Sequence, residues 1–207
     1  MAHRAHGRDP DRERGRGHGD DLRAQQDRIR IAQTAARLIA EHGLTDWALA
    51  KRKAARQLML RNSAAFPTNE EIEEALGSYH MLFGAEAHDA CLRTQRTEAL
   101  AWMQRLAAWD PLLVGGVAAG WATAHSDVRL ELVADDSKAV EMALASAGVR
   151  YGALPPRDAA PGAQLLIASP RASVRLDIVT PQQRRNRPRR DDEPRLGADA
   201  VAALLEK

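Results

Sequence analysis

The chain has 207 residues, 44% apolar and only 4% aromatic, enough to bury a core without disulfides or a structural metal. Thirty basic side chains oppose 28 acidic ones for a formal charge of +2, which is not the strong basic excess of a dedicated nucleic-acid binder. The single cysteine, Cys91, excludes an internal disulfide and a multi-thiolate zinc site, and no apolar run reaches the roughly 18 residues of a membrane span. The start of the chain has no apolar signal core, and six acids among residues 1–30 set it apart from a transit peptide. The expectation is a cytoplasmic protein with no membrane partner.

Residues 1–27 scatter arginines among Gly, His and Asp, and Leu22 is their only large aliphatic after Met1, so they are expected to be a disordered leader. A helical module is expected over 28–108. Its first helix, 28–41, carries Ile31, Ala35, Leu38 and Ile39 on one stripe and stops near Gly43. A second helix, 46–61, opens at Thr45 or Asp46 and is basic through Lys51, Arg52, Lys53 and Arg56. Thr68 with Glu71 forms a capping box for a third helix that Gly84 breaks, and a fourth follows over 86–108.

Asp110-Pro111 closes the helical half, because the residue before proline is pushed out of the helical region. A domain of mixed strands and helices is expected over 109–207. Leu112-Leu113-Val114 is a short buried strand, and Asp127–Val133 alternates with period two. Ser137 is placed to cap a helix running to Ala147, ended by Gly148. Tyr151–Leu154 and Leu165–Ala168 are weaker strands, Val174–Val179 a clear one, 181–195 an arginine-proline loop and 198–206 a last helix. The fold class is α+β: an N-terminal helical module, then a small mixed β-sheet with flanking helices.

The most informative stretch joins two of these strands. Leu112–Val114 delivers Gly115-Gly116, a short turn follows, and the next strand opens on Ser126-Asp127. Glycines let a backbone approach an anion closely, and a carboxylate opening the next strand can hold a divalent metal bridging phosphates. With a preceding helix and a later Val174-Arg175-Leu176-Asp177 strand, roughly residues 90–180 resemble the nucleotidyltransferase superfamily, the fold of minimal nucleotidyltransferases and DNA polymerase beta-like enzymes. The resemblance implies Gly115 and Gly116 at the phosphates and catalytic, metal-holding carboxylates at Asp127 and, from the later strand, Asp177, with Glu131 standing in for the second aspartate of the pair. An active member takes Mg2+ and a nucleoside triphosphate.

Two positions depart from the pattern. Val117 follows the glycines where a serine is expected, and Arg129 stands where the second aspartate of an Asp-x-Asp pair belongs. A guanidinium among the carboxylates repels metal ions that two-metal phosphoryl transfer requires. The segments Val128-Arg-Leu-Glu-Leu-Val and Val174-Arg-Leu-Asp-Ile-Val are near-copies, so Arg129, Glu131, Arg175 and Asp177 share one sheet face. Two readings of that face stand together: a neutralised lattice of arginine–carboxylate pairs, and a phosphate site in which Arg129 and Arg175 hold the anion. The expected function is therefore a catalytically degenerate nucleotidyltransferase-like protein that binds a nucleotide or phosphate. The alternatives are an active metal-dependent enzyme and an arginine-rich module associated with nucleic acid or protein.

Residues 28–61 also resemble the opening of a bacterial helix-turn-helix repressor, which implies phosphate contacts by Lys51, Arg52, Lys53 and Arg56. One long basic helix stands where a short helix, a turn and a recognition helix are required. A cell-wall amino-acid ligase is not supported, since no Gly-rich loop with Lys-Ser/Thr is present. His125 and Trp121 flank the glycine-to-aspartate turn and are most simply turn and packing residues. His80 and His88, eight apart, have no acidic partner that completes a metal set.

Overall fold

The computed structural model describes residues 10–44, 46–60, 66–155, 162–186 and 194–206, with side chains from residue 21 onward. The chain is α+β and divides into two units, Met1–Tyr79 and His80–Lys207.

The first unit is helical. Helix α1 runs Pro10–His42, α2 runs Trp47–Gln57, and α3 opens at Asn69 and continues to Phe83. The leader expected to be disordered is thus helical from Pro10 on, while residues 1–9 lie outside the described residues. The physical reason is cooperative propagation. Ile31, Ala32, Ala35, Ala36 and Ile39 anchor the C-terminal half of α1 in the core, so extension toward Pro10 carries no nucleation cost, although Gly15, Gly17 and Gly19 each oppose it by about 1 kcal/mol. Proline suits the first helical position, and an Asp27–Arg30 pair at 3.7 Å supports the exposed side. Helix α2 buries only alanines, Ala50, Ala54 and Ala55, and is capped by Asp46, whose Oδ1 accepts from Leu49 N at 3.0 Å. Thr45, the alternative cap, lies outside the described residues. The Thr68–Glu71 capping box forms as expected, with Thr68 N donating to Glu71 Oε2 at 2.7 Å and Glu71 N to Thr68 Oγ1 at 3.2 Å.

The second unit is built on a five-stranded mixed sheet. Strands β1 (Leu112–Val114), β2 (Val128–Val133), β3 (Gly152–Ala153), β4 (Ala163–Ile167) and β5 (Val174–Val179) lie in the order β1-β2-β5-β4-β3. Only the β2–β5 pair is parallel. The flanking helices are α4 (Ala85–Arg105), α5 (Gly116–Ala119), α6 (Ser137–Ser146), α7 (Pro181–Asn186) and α8 (Ala198–Leu205). One sheet face is apolar: Leu130, Leu132, Leu165, Leu176 and Ile178 pack with Leu92, Trp102 and Met103 of α4, Val140 and Leu144 of α6, and Val201 of α8.

This packing corrects three expectations. Helix α4, expected to belong to a helical module over 28–108, packs on the sheet, because its buried stripe of Leu92, Ala99, Trp102 and Met103 faces the strands. Helix α6 is capped by Asp136 and not Ser137, since the carboxylate accepts from Lys138 N at 2.9 Å. The start of the 181–195 loop is a helix: Thr180 and Gln183 form a reciprocal cap, at 2.8 Å from Thr180 N to Gln183 Oε1 and 3.2 Å from Gln183 N to Thr180 Oγ1. Residues 187–193 lie outside the described residues.

Candidate functional site

The second sheet face carries the candidate residues. The β2–β5 register sets Arg129 beside Arg175 and Glu131 beside Asp177. Equal lengths and near-identical patterns produce that match: the apolar members of both strands must turn to the same core, so the polar members share the opposite face. Two arginines side by side repel, and the side chains resolve this by diverging. Arg129 Nη2 reaches forward to Asp177 Oδ2 at 2.8 Å, whereas Arg175 Nη2 reaches back to Asp127 Oδ2 at 3.5 Å. Gln164 on β4, the register partner of Asp177, donates from Nε2 to Asp177 Oδ1 at 2.6 Å.

Glu131 is 0% exposed, and two arginines from the chain's last quarter hold it. Arg184 Nε lies 3.0 Å from Glu131 Oε1, and Arg195 Nη1 lies 3.8 Å from the same oxygen. Arg184 also donates from Nη2 to the Glu131 carbonyl at 2.9 Å and from Nη1 to the carbonyl and carboxylate of Asp110 at 2.8 and 2.7 Å. Asp110 is left-handed at φ 46, a conformation that costs a non-glycine residue energy, and the two hydrogen bonds from Arg184 hold it at the turn into β1. Arg184 and Arg195 are the functional residues that the sequence pattern does not single out, since both fall in the arginine-proline stretch 181–195. The reciprocal Thr180-Pro181-Gln182-Gln183 cap was the signal that could have located Arg184 on a helix.

The glycines serve different ends. Gly115 sits at φ 71, ψ −155, a region open to little besides glycine, and a Cβ there would meet Arg129 Cδ at 3.4 Å and Nη1 at 3.5 Å. The missing side chain lets the Arg129 stem lie against the backbone. A Cβ on Gly116 would stand 2.7 Å from the Trp121 ring, so Gly116 makes room for tryptophan packing. Helix α4 fixes the turn between them and β2. Gln95 Nε2 donates to the carbonyls of Thr123 (2.8 Å) and Ser126 (3.2 Å), Arg96 Nε donates to Val117 O at 3.3 Å, and His88 Nε2 meets Gly120 O at 2.9 Å. His125 serves the turn through its backbone, donating to Thr123 Oγ1 at 3.2 Å.

The structure therefore brings Asp127, Arg129, Arg175, Glu131 and Asp177 onto one face, but not as a metal cluster. Four residues of extended chain, roughly 13 Å, separate Asp127 from Glu131, and an arginine engages each of the three carboxylates. Among the described residues no three His, Cys, Asp or Glu side chains converge to hold a metal ion. This donor set does not fit the metal pair that the sequence resemblance implies.

The basic residues of α2 stand apart. Lys51 Nζ donates to Asn69 Oδ1 at 2.9 Å; burial pushes its ammonium below the ordinary value, and Glu70 and Glu71 pull it back. Arg52, Lys53 and Arg56 are exposed.

No protein-family model matches the chain, and no curated protein matches it. Among the described residues no helix is long and apolar enough to cross a membrane.

Proposed function

We propose that the sheet unit is a catalytically degenerate nucleotidyltransferase-like domain, which keeps an arginine-lined anion site and has lost metal-dependent transfer. One observation carries this reading: every carboxylate assigned to metal is held by a guanidinium, Asp177 by Arg129, Asp127 by Arg175, and Glu131 by Arg184 and Arg195. A nucleotide bound here is held by arginine forks at its phosphates. The accessible end of the lattice is where Arg129 and Asp127 retain 35% and 31% side-chain exposure, beside Gly115. A phosphate there competes with Asp127 and Asp177 for the guanidinium groups. A cytoplasmic setting accompanies this reading, because Cys91 has no second thiol to pair with.

Thermal melting with ATP, CTP or pyrophosphate, each with and without Mg2+, tests it. The melting temperature should rise with ligand concentration, equally without the metal, by up to about 2.7 kcal/mol of stabilisation at a hundredfold excess over Kd. Arg129→Gln should remove the response. Metal-dependent nucleotide transfer that Asp127→Asn abolishes would instead establish the active-enzyme alternative. No response to any of the three ligands would remove the anion site.

A further inference from the structure

The arginines of the sheet face are paired, while those of α2 are not. Arg52, Lys53 and Arg56 are exposed, and among the described residues none of the three has an ion-pair or hydrogen-bond partner. They fall at spacings of one, three and four, so they form a triangle on one side of the helix. The side opposite is fixed in the core by Ala50, Ala54 and Ala55. No acidic residue lies within Trp47–Gln57, so nothing on the helix itself neutralises the triangle.

We propose that this face of α2 docks on the phosphate backbone of duplex nucleic acid. Charge complementarity gives the partner its sign, and the composition of the face gives its class. Single-strand binders place aromatic side chains among their cations to stack on bases; the aromatic of α2, Trp47, is half-buried and stands at the helix start, outside the triangle. Helices that lie on membranes need a broad apolar face free to insert, and the apolar face of α2 is small and occupied. Three unpaired cations on a rigid helix suit sequence-independent contact with phosphates.

Anisotropy of a labelled random-sequence DNA duplex, with the full chain at about 50 and about 200 mM salt, tests the proposal. Three contacts predict an affinity loss of roughly 40-fold between those salts, from a slope of about 0.9 per phosphate. Arg52→Gln with Arg56→Gln should make that loss smaller by a factor of about 12, the share of two contacts. Lys51→Gln should change it little, because Asn69 already holds Lys51. The charge-preserving pair Arg52→Lys and Arg56→Lys should retain binding and guards against a folding artefact. Arg185→Gln removes the same charge from another exposed helix. If it weakens binding as much as a single α2 substitution does, attraction by the molecule's overall charge replaces a docking face and the proposal fails. It also fails if the double variant keeps the parent's salt response, or if phosphatidylserine vesicles or polyglutamate bind as tightly with the same dependence on Arg52 and Arg56.

Discussion

Glu131 is the residue on which the sheet face turns. Its side chain is fully buried and its carboxylate answers two arginines. Removing one partner of a buried ion pair leaves the other desolvated and uncompensated, typically at a cost of about 3–5 kcal/mol. Glu131→Gln is expected to lower stability by that order in urea unfolding. Adding Arg184→Met should cost less than the sum of the two single changes, since they share one interaction; strict additivity would show that Arg184 and Glu131 act independently. The glycines separate by the same logic. Gly115→Ala meets a backbone penalty of about 1–3 kcal/mol and crowds Arg129, so it should weaken anion binding as well as stability. Gly116→Ala drives a methyl into Trp121, costing about 1–3 kcal/mol by overpacking, and should leave the anion response of the folded fraction intact. These pairings explain how far the site could be read from sequence. Alternation alone puts Arg129, Glu131, Arg175 and Asp177 on one face, because period two is local. The partners of Glu131 come from 53 and 64 residues away along the chain, as Arg184 and Arg195, and no local pattern records such a distance.

Among the elements, local chemistry decided which boundaries were legible. The Thr68–Glu71 cap, the Asp110-Pro111 break and the two alternating strands stand where the sequence places them, because each rests on neighbours a few residues apart. The assignment of α4 to the sheet was not legible, since an amphipathic stripe declares that it will be buried but not against what. Helix α7 shows the reverse, a legible cap passed over within an arginine-rich stretch. Thr180→Ala is expected to cost about 0.5–2 kcal/mol as a lost N-cap and to loosen Arg184 with it, which amide exchange of α7 and of the Asp110 turn would register together. A pH effect belongs to the junction of α3 and α4, where His80 and His88 stack with ring centroids 3.8 Å apart. Burial, and then the charge of His88, hold His80 below its ordinary value of 6.5. The unfolded chain therefore takes up the proton first. The associated stability is present above about pH 6.5 and is lost as pH falls toward the lowered folded value. Urea midpoints between neutral pH and about pH 5 should fall less for His80→Asn than for the parent; identical slopes would remove His80 as the source.

Across the whole molecule, the small net charge conceals a division of labour. In His80–Lys207 the four arginines of the sheet face, Arg129, Arg175, Arg184 and Arg195, are spent on carboxylates, while the unpaired triangle sits in Met1–Tyr79. The sheet core is self-sufficient: the residues of its principal cluster all lie at or beyond Leu92. A fragment of residues 80–207 should therefore unfold cooperatively in urea, with a slope of about 1–3 kcal/mol/M, and should keep the nucleotide response while losing DNA binding. A non-cooperative melt would mean that the sheet unit depends on the preceding helices.

The bridge between Leu113 and Leu196 has a further consequence. Leu113 N and Leu196 N each donate to the other's carbonyl, at 2.9 and 3.0 Å, so the returning chain occupies the outer side of β1. An uncovered strand edge is a template on which other chains polymerise, and the opposite edge, β3, is only two residues long. Proteolytic loss of residues 194–206 would thus do more than weaken the fold: it would turn the covered border of β1 into an aggregation seed, seen by light scattering before any loss of secondary structure.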